Sequence, residues 1–184
     1  MDKLSSFFLD TLEVVVFAVA IFLFVYLIVL QPHKIKGASM LPNFQDGEYI
    51  LSDKLSYRFG EPKRGDVIIF EAPGANGDEF IKRIIGLPGE KVAIKENKLY
   101  INGNELKESY LPSTFDTLPG AFLQENEEKV IPENSYFVLG DNRRHSSDSR
   151  SWGFIEKDVI TGRAWIIYWP TDELGKIEDV SYSL

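Results

Sequence analysis

The chain has 184 residues, 44% of them hydrophobic, which gives room for one domain with a real core and argues against wholesale disorder. Its 20 Lys and Arg against 28 Asp and Glu leave a net charge of −8, the wrong sign for a protein that binds nucleic acid by replacing counterions. It has no cysteine and only two histidines, His33 and His145, so disulfides, thiolate sites and thiol nucleophiles are excluded and a multi-histidine metal site nearly so; the chemistry left to it uses hydroxyls, carboxylates, lysine or arginine, with no metal or cofactor expected.

The first element is apolar. Val14 to Leu30 reads VVVFAVAIFLFVYLIVL, without charge or proline, and as a helix it spans roughly 25 Å. A core helix apolar on every face needs more protein around it than a domain this small supplies, so the run predicts a membrane span. Asp2, Lys3, Asp10 and Glu13 precede it and do not make the basic leader of a cleaved signal peptide. The reading is a short segment 1–10, an uncleaved single-pass anchor 11–30 and a domain 31–184. Lys34 and Lys36 after the span outnumber Lys3 before it, a small positive-inside bias toward a cytoplasmic domain. Acids and bases balance over residues 1–36, so the whole excess of negative charge lies in the remainder, which has the size of a single domain.

Beyond the anchor, short β-rich runs alternate with Gly and Pro. Tyr49–Leu51, Asp66–Phe70, Glu79–Ile85, Lys91–Ile94, Lys98–Ile101, Ser135–Leu139 and Gly162–Trp169 are predicted strands. Asn102-Gly103 is a strong two-residue hairpin turn between Leu99-Tyr100-Ile101 and Asn104-Glu105-Leu106. No long stretch after residue 36 repeats with a 3.6-residue period. The fold class is therefore mainly β, a barrel or sandwich behind an N-terminal transmembrane helix. Glu108 to Pro132 stands apart, with three prolines, an acidic run and no strand pattern, and reads as a variable loop or insertion near 108–132.

Four polar clusters punctuate this pattern. Gly37-Ala38-Ser39-Met40-Leu41-Pro42 sets a serine after two small residues, which fits an exposed nucleophile and equally an ordinary loop. Arg64-Gly65-Asp66 fits a turn entering a core strand. In Lys82-Arg83-Ile84-Ile85-Gly86-Leu87-Pro88-Gly89, the strand period puts Phe80, Lys82 and Ile84 on one face. A lysine there is either desolvated, with a lowered pKa that makes it a base, or extended to solvent or to a carboxylate. Gly140-Asp141-Asn142-Arg143-Arg144-His145-Ser146-Ser147-Asp148-Ser149-Arg150 reads as a polar loop with a possible Asp148–Arg150 pair, and nothing in it orients His145 for a Ser-His-Asp triad.

In order and content these clusters, behind an N-terminal span, resemble the bacterial type I signal peptidases, membrane-bound serine peptidases that remove signal peptides from exported proteins. The resemblance runs from the anchor to about Trp169 and is weakest over 108–132. It implies Ser39 as nucleophile, Lys82 as general base, Ser146 as a hydrogen-bond partner that orients the amine, and an Asp148–Arg150 pair holding that loop. It implies the Ser39 N–H as an oxyanion donor, and Ile35, Met40 and Ile81 as lining of shallow pockets for small residues at −1 and −3 before the cut, positions that fit plain core as well. It further implies signal-peptide-bearing precursors and the lipid bilayer as partners, and a domain on the outer face of the cytoplasmic membrane, against the small lysine bias. Three positions depart from the family pattern. Gly37 stands where some members carry a second oxyanion-hole serine, Asn43 where a threonine follows the proline, and Arg144-His145 where other polar residues are common.

Overall fold

The computed structural model describes residues 3–74, 77–180 and 182. Helix α1, Lys3–Phe24, widens into a π-helical turn at Val25–Val29 and gives way at once to strand β1, Leu30–Lys34. The window Phe7–Phe24 has a mean hydropathy of 2.4 and none of it is covered by the rest of the protein, so by length and composition it can cross a membrane. The chain is already helical at Lys3, ahead of the apolar run. Leu30, read from sequence as the last anchor residue, is the first residue of β1. Pro32 explains the switch: it cannot continue a helix, and on an edge strand its missing N–H costs nothing.

The remainder is mainly β, as composition and turn spacing predict. After β1 come β2 (Tyr49–Asp53), a single turn of helix α2 (Ser56–Phe59), β3 (Val67–Glu71), β4 (Glu79–Gly86), β5 (Lys91–Lys95), β6 (Lys98–Ile101), β7 (Asn104–Glu105), β8 (Glu128–Val130), β9 (Ser135–Leu139), the short helix α3 (Ser149–Trp152), β10 (Ile155–Glu156), β11 (Ile160–Trp169) and β12 (Gly175–Lys176). Among the described residues one antiparallel sheet runs β1-β2-β11-β3-β4-β9-β10, with β12 beside β11, and a smaller sheet runs β7-β6-β5-β8. The Asn102-Gly103 turn joins β6 to β7 with both residues at positive φ, the geometry its sequence requires.

β3 is apolar on both faces because it separates two cores. Val67 and Ile69 pack with Ile35, Met40, Phe44 and Ile50, and Ile68 and Phe70 with Ile84, Tyr136 and Val138. A third cluster, including Ile85, Val92, Ile94, Leu123 and Phe137, fixes the small sheet against β4 and β9. β8 falls inside 108–132, where no strand pattern is visible, and pairs with β5.

One feature of the large sheet creates the site. β9 pairs with β4 only from Arg83 onward, so Glu79 to Lys82 have a strand neighbour, β3, on one side only. β1 likewise has β2 on one side only. The sheet curls until these two free edges face each other, as the 3.0 Å contact between His33 of β1 and Glu79 of β4 requires.

Candidate active site

The gap between the two edges is a cleft of about 550 Å³. Its walls are Gln31–Lys36 and Glu79–Lys82, and Ile50 and Ile69 lie between them. Ser39 and Lys82 close one end, where Lys82 Nζ lies 2.9 Å from Ser39 Oγ and 2.8 Å from the Ile81 carbonyl. Lys82 is 3% exposed, and its amine sits 5.2 Å from the centre of the Phe80 ring. Burial lowers its pKa from 10.5 to about 8, against the opposing pull of Asp148 and Asp141. A lysine poised near neutrality within hydrogen-bond reach of a hydroxyl can take that hydroxyl's proton.

The serine is held by the loop that starts at Gly140. The Asn142 N–H donates to the Ser39 carbonyl at 3.0 Å, and its side chain donates to the Ala38 carbonyl at 2.9 Å. This approach needs glycine at 140: a Cβ there would lie 2.2 Å from Ser146 Oγ and 2.5 Å from the Ser39 carbonyl oxygen. The Gly37 N–H is committed to Asp46 Oδ1 at 2.7 Å. The Ser39 N–H has no hydrogen-bond acceptor among the described residues.

Ion pairs made by three buried arginines fix the loop. Asp148 binds Arg150 in a two-pronged contact at 2.8 Å on each side and also accepts from the Gly140 N–H. Arg150 passes its remaining donors to the Arg143 and Leu118 carbonyls. Arg83 grips Asp141 at 2.9 and 2.7 Å, and Asn43 donates to the same carboxylate at 2.8 Å. Arg143, fully buried, binds Glu108, Thr117 and Tyr110 as well as the Gly140 carbonyl. Segment 108–132 thus supplies Glu108, Tyr110, Thr117 and the Leu118 carbonyl to the anchoring of this loop.

The structure brings Ser39, Lys82, Ile35 and Ile81 to the cleft. Met40 is fully buried in the core and does not line it. Asp148 and Arg150 pair as the sequence suggests. Ser146 Oγ is buried without a hydrogen-bond partner among the described residues, so the amine and Ser146 are not bonded in this state. His145 is exposed and lines a separate hollow with Thr114, Phe115, Asn142 and Arg144. Sequence reasoning missed His33, Glu79 and Ser147 in the cleft and the grip of Asn142 on the serine. The Asn142 grip spans 103 positions in sequence and the His33–Glu79 contact 46, separations that carry no local signal.

The chain is similar to proteins already known. A family model described as "Signal peptidase, peptidase S26" matches residues 8–169. A signal peptidase I from Leptolyngbya laminosa is 36% identical over 183 residues, covering 95% of this chain and 86% of its own. Signal peptidase IB from Staphylococcus aureus is 37% identical over 156 residues, covering 79% of this chain and 81% of its own. Among solved structures, a signal peptidase I from Enterococcus faecalis V583 is 35% identical with a TM-score of 0.45, over 56% of this chain and 96% of that one.

Proposed function

The chain belongs to the signal peptidase S26 family, and on that premise we propose that it is a membrane-anchored serine endopeptidase that cuts signal peptides from exported precursors with a Ser39–Lys82 dyad. The observation that carries the dyad is the 2.9 Å contact between the Ser39 hydroxyl and a buried lysine amine with a lowered pKa.

A precursor enters the cleft as an extended strand between the free edges of β1 and β4, pairing its backbone with one or both. Ile35 and Ile81 flank the residue before the cut and leave room for a small side chain only, while Met40 supports them from the core. Ser39 Oγ attacks the scissile carbonyl as neutral Lys82 takes its proton. The Ser39 N–H, which has no acceptor among the described residues, stabilises the oxyanion, a role that Gly37 does not share because it has no side-chain donor and its N–H is engaged by Asp46. Lys82 then protonates the leaving amine, and water activated by the same lysine releases the acyl group from Ser39. Ser146, whose buried hydroxyl beside Gly140 has no partner among the described residues, is the acceptor for the ammonium formed during the attack. The Asp148–Arg150 pair fixes Gly140 and so the carbonyl of Ser39.

α1 holds enzyme and precursor in one bilayer, which raises their effective concentration. The domain lies on the outer face of the cytoplasmic membrane, where exported chains emerge. Cleavage of a signal-peptide-bearing precursor by the purified protein in detergent tests the reading, with Ser39→Ala beside it. Wild-type cleavage at one site and none by the variant is expected, and equal cleavage by both removes Ser39 as the nucleophile. Protease added outside intact cells should digest the domain.

A further inference from the structure

Arg144 and His145, which depart from the family pattern, take no part in the Ser39–Lys82 chemistry. With Thr114, Phe115 and Asn142 they line a hollow of about 340 Å³. No carboxylate lines it, although the chain carries 28 Asp and Glu and a net charge of −8. Arg144 lies 3.3 Å from Asp116, in an ion pair whose side chains are 63% and 47% exposed. An exposed pair of that length adds little and yields readily to a competing carboxylate. His145 is exposed and offers a ring N–H in either tautomer, and the Phe115 ring is 40% exposed.

The loop that starts at Gly140 places this hollow relative to the cut. Its Ser147 lines the cleft, while its Asn142, Arg144 and His145 line the hollow. Residues before the cut lie along Gln31–Lys36 and Glu79–Lys82, and Ser39 closes that run, so residues after the cut leave past Ser39. The Asn142 N–H meets the Ser39 carbonyl at 3.0 Å, so the hollow opens directly beyond the nucleophile. An extended chain advances about 3.3 Å per residue, and two or three such steps carry it from Ser39 across Asn142 to Arg144.

We propose that Arg144, with His145 beside it, forms a subsite for the exported chain itself, one that favours an acidic side chain at the second or third residue after the cut and disfavours a basic one. This rests on the peptidase reading above and leaves the selection of small residues before the cut as it stands. A guanidinium meets a carboxylate through two parallel N–H donors, and Asp116 shows that a carboxylate can reach this one. Segment 108–132, where the family resemblance is weakest, supplies Thr114 and Phe115 to the same hollow, so both parts of it are particular to this chain. The occupant is the start of the mature protein because the hollow continues the cleft on the side from which that product departs.

The test uses the full chain in detergent at low salt, where exposed charges are least screened. The precursor peptides share every residue before the cut and differ only at the second or the third residue after it, as Ala, Glu or Lys. The readout is the ratio of kcat/KM for the Glu peptide to that for the Lys peptide. The wild type should give a ratio of about fivefold or more at one of the two positions. Arg144→Gln should bring that ratio to within about twofold, and Arg144→Glu should invert it. Because each ratio is taken within one protein, a general loss of activity cancels. A wild-type ratio near one at both positions, or a ratio that neither variant moves, overturns the proposal, while cleavage of the Ala peptide leaves the peptidase reading standing. No cleavage of the Ala peptide by the wild type overturns the peptidase reading and this one with it.

Discussion

Lys82 and Arg83 are consecutive cations on β4, each 3% exposed, and the fold treats them in opposite ways. Lys82 faces a hydroxyl, a carbonyl and an aromatic ring, and burial brings its pKa down to about 8. On the other face of the strand, burial also pulls the Arg83 guanidinium down. There the hydrogen bonds and charge of Asp141 outweigh burial and hold it above its ordinary value. Arg83 spends its remaining donors on the Gly65 carbonyl and lies 4.2 Å from the centre of the Tyr110 ring. Burial alone therefore does not decide whether a cation stays charged; the partner that meets it does. A planar fork suits the permanent pair, and a single amine suits a group that gives up its proton. On the proposed mechanism one strand carries a structural cation and a chemical one side by side, and the two are not interchangeable.

The largest expected effect comes from erasing the chemical member. Lys82→Ala should lower kcat by about 10⁴-fold or more, the scale on which a nucleophile–base unit fails when either half is removed, and Ser39→Ala combined with it should be no worse. Lys82→Arg should be equally inactive, because a guanidinium stays protonated. Retention of more than about a tenth of wild-type precursor cleavage by Lys82→Arg would mean that the side chain at 82 acts as a positive charge and not as a base.

Removing the partner of the structural member comes next. Asp141→Ala leaves Arg83 buried without its carboxylate and takes the acceptor from Asn43 as well. A buried pair broken on one side typically costs about 3–5 kcal/mol, to be read as a shift of the urea unfolding midpoint at constant slope. A shift under about 1 kcal/mol would place the Arg83 charge in contact with water.

The same two residues mark what the sequence discloses. The strand that carries them is legible as a β-rich run, with Phe80-Ile81 and Ile84-Ile85 around the two cations, and β6 and β9 are legible to the residue, β6 because Asn102-Gly103 ends it and β9 because Tyr136–Leu139 is an unbroken apolar run. β8 is not, since it is a short edge strand with two of its three residues exposed, and such a strand has no alternation to read. β1 is hidden because the anchor's apolar run takes its first residue and the remaining Gln-Pro-His-Lys shows neither alternation nor β-branched residues. At the site, residue types alone left Lys82 divided between a desolvated base and a solvated ammonium. What buries it comes from across the cleft and from the loop at 140–150, which no local pattern contains. Only its place in an ordered set of motifs favours the base. His33 and Glu79 belong to no such motif, so only the curling of the sheet brings them to notice.

The smallest effect sharpens the comparison furthest, because it is opposite in sign to what deletion of a buried contact usually does. A lysine held at about pKa 8 in the fold and 10.5 in the unfolded chain is protonated in both states below about pH 8, where the fold bears the full cost of burying the ammonium. As pH rises from about 8 to 10.5 the folded lysine is neutral while the unfolded one still binds a proton, so this cost is progressively relieved, and above 10.5 it is gone. A depression of that size corresponds to about 3 kcal/mol. Lys82→Met keeps the length of the side chain and removes the charge. It should therefore be more stable than the wild type by up to about 3 kcal/mol near pH 7, with the advantage shrinking toward pH 10.5, in urea unfolding of the two proteins side by side. Activity of the wild type should rise over the lower part of the same range, through about pH 8, since the proton that destabilises the fold is the one that disables the base. A stability difference that does not change with pH would mean that Lys82 titrates alike in the folded and unfolded chains. The contrast with Arg83 would then lie only in their hydrogen-bond partners.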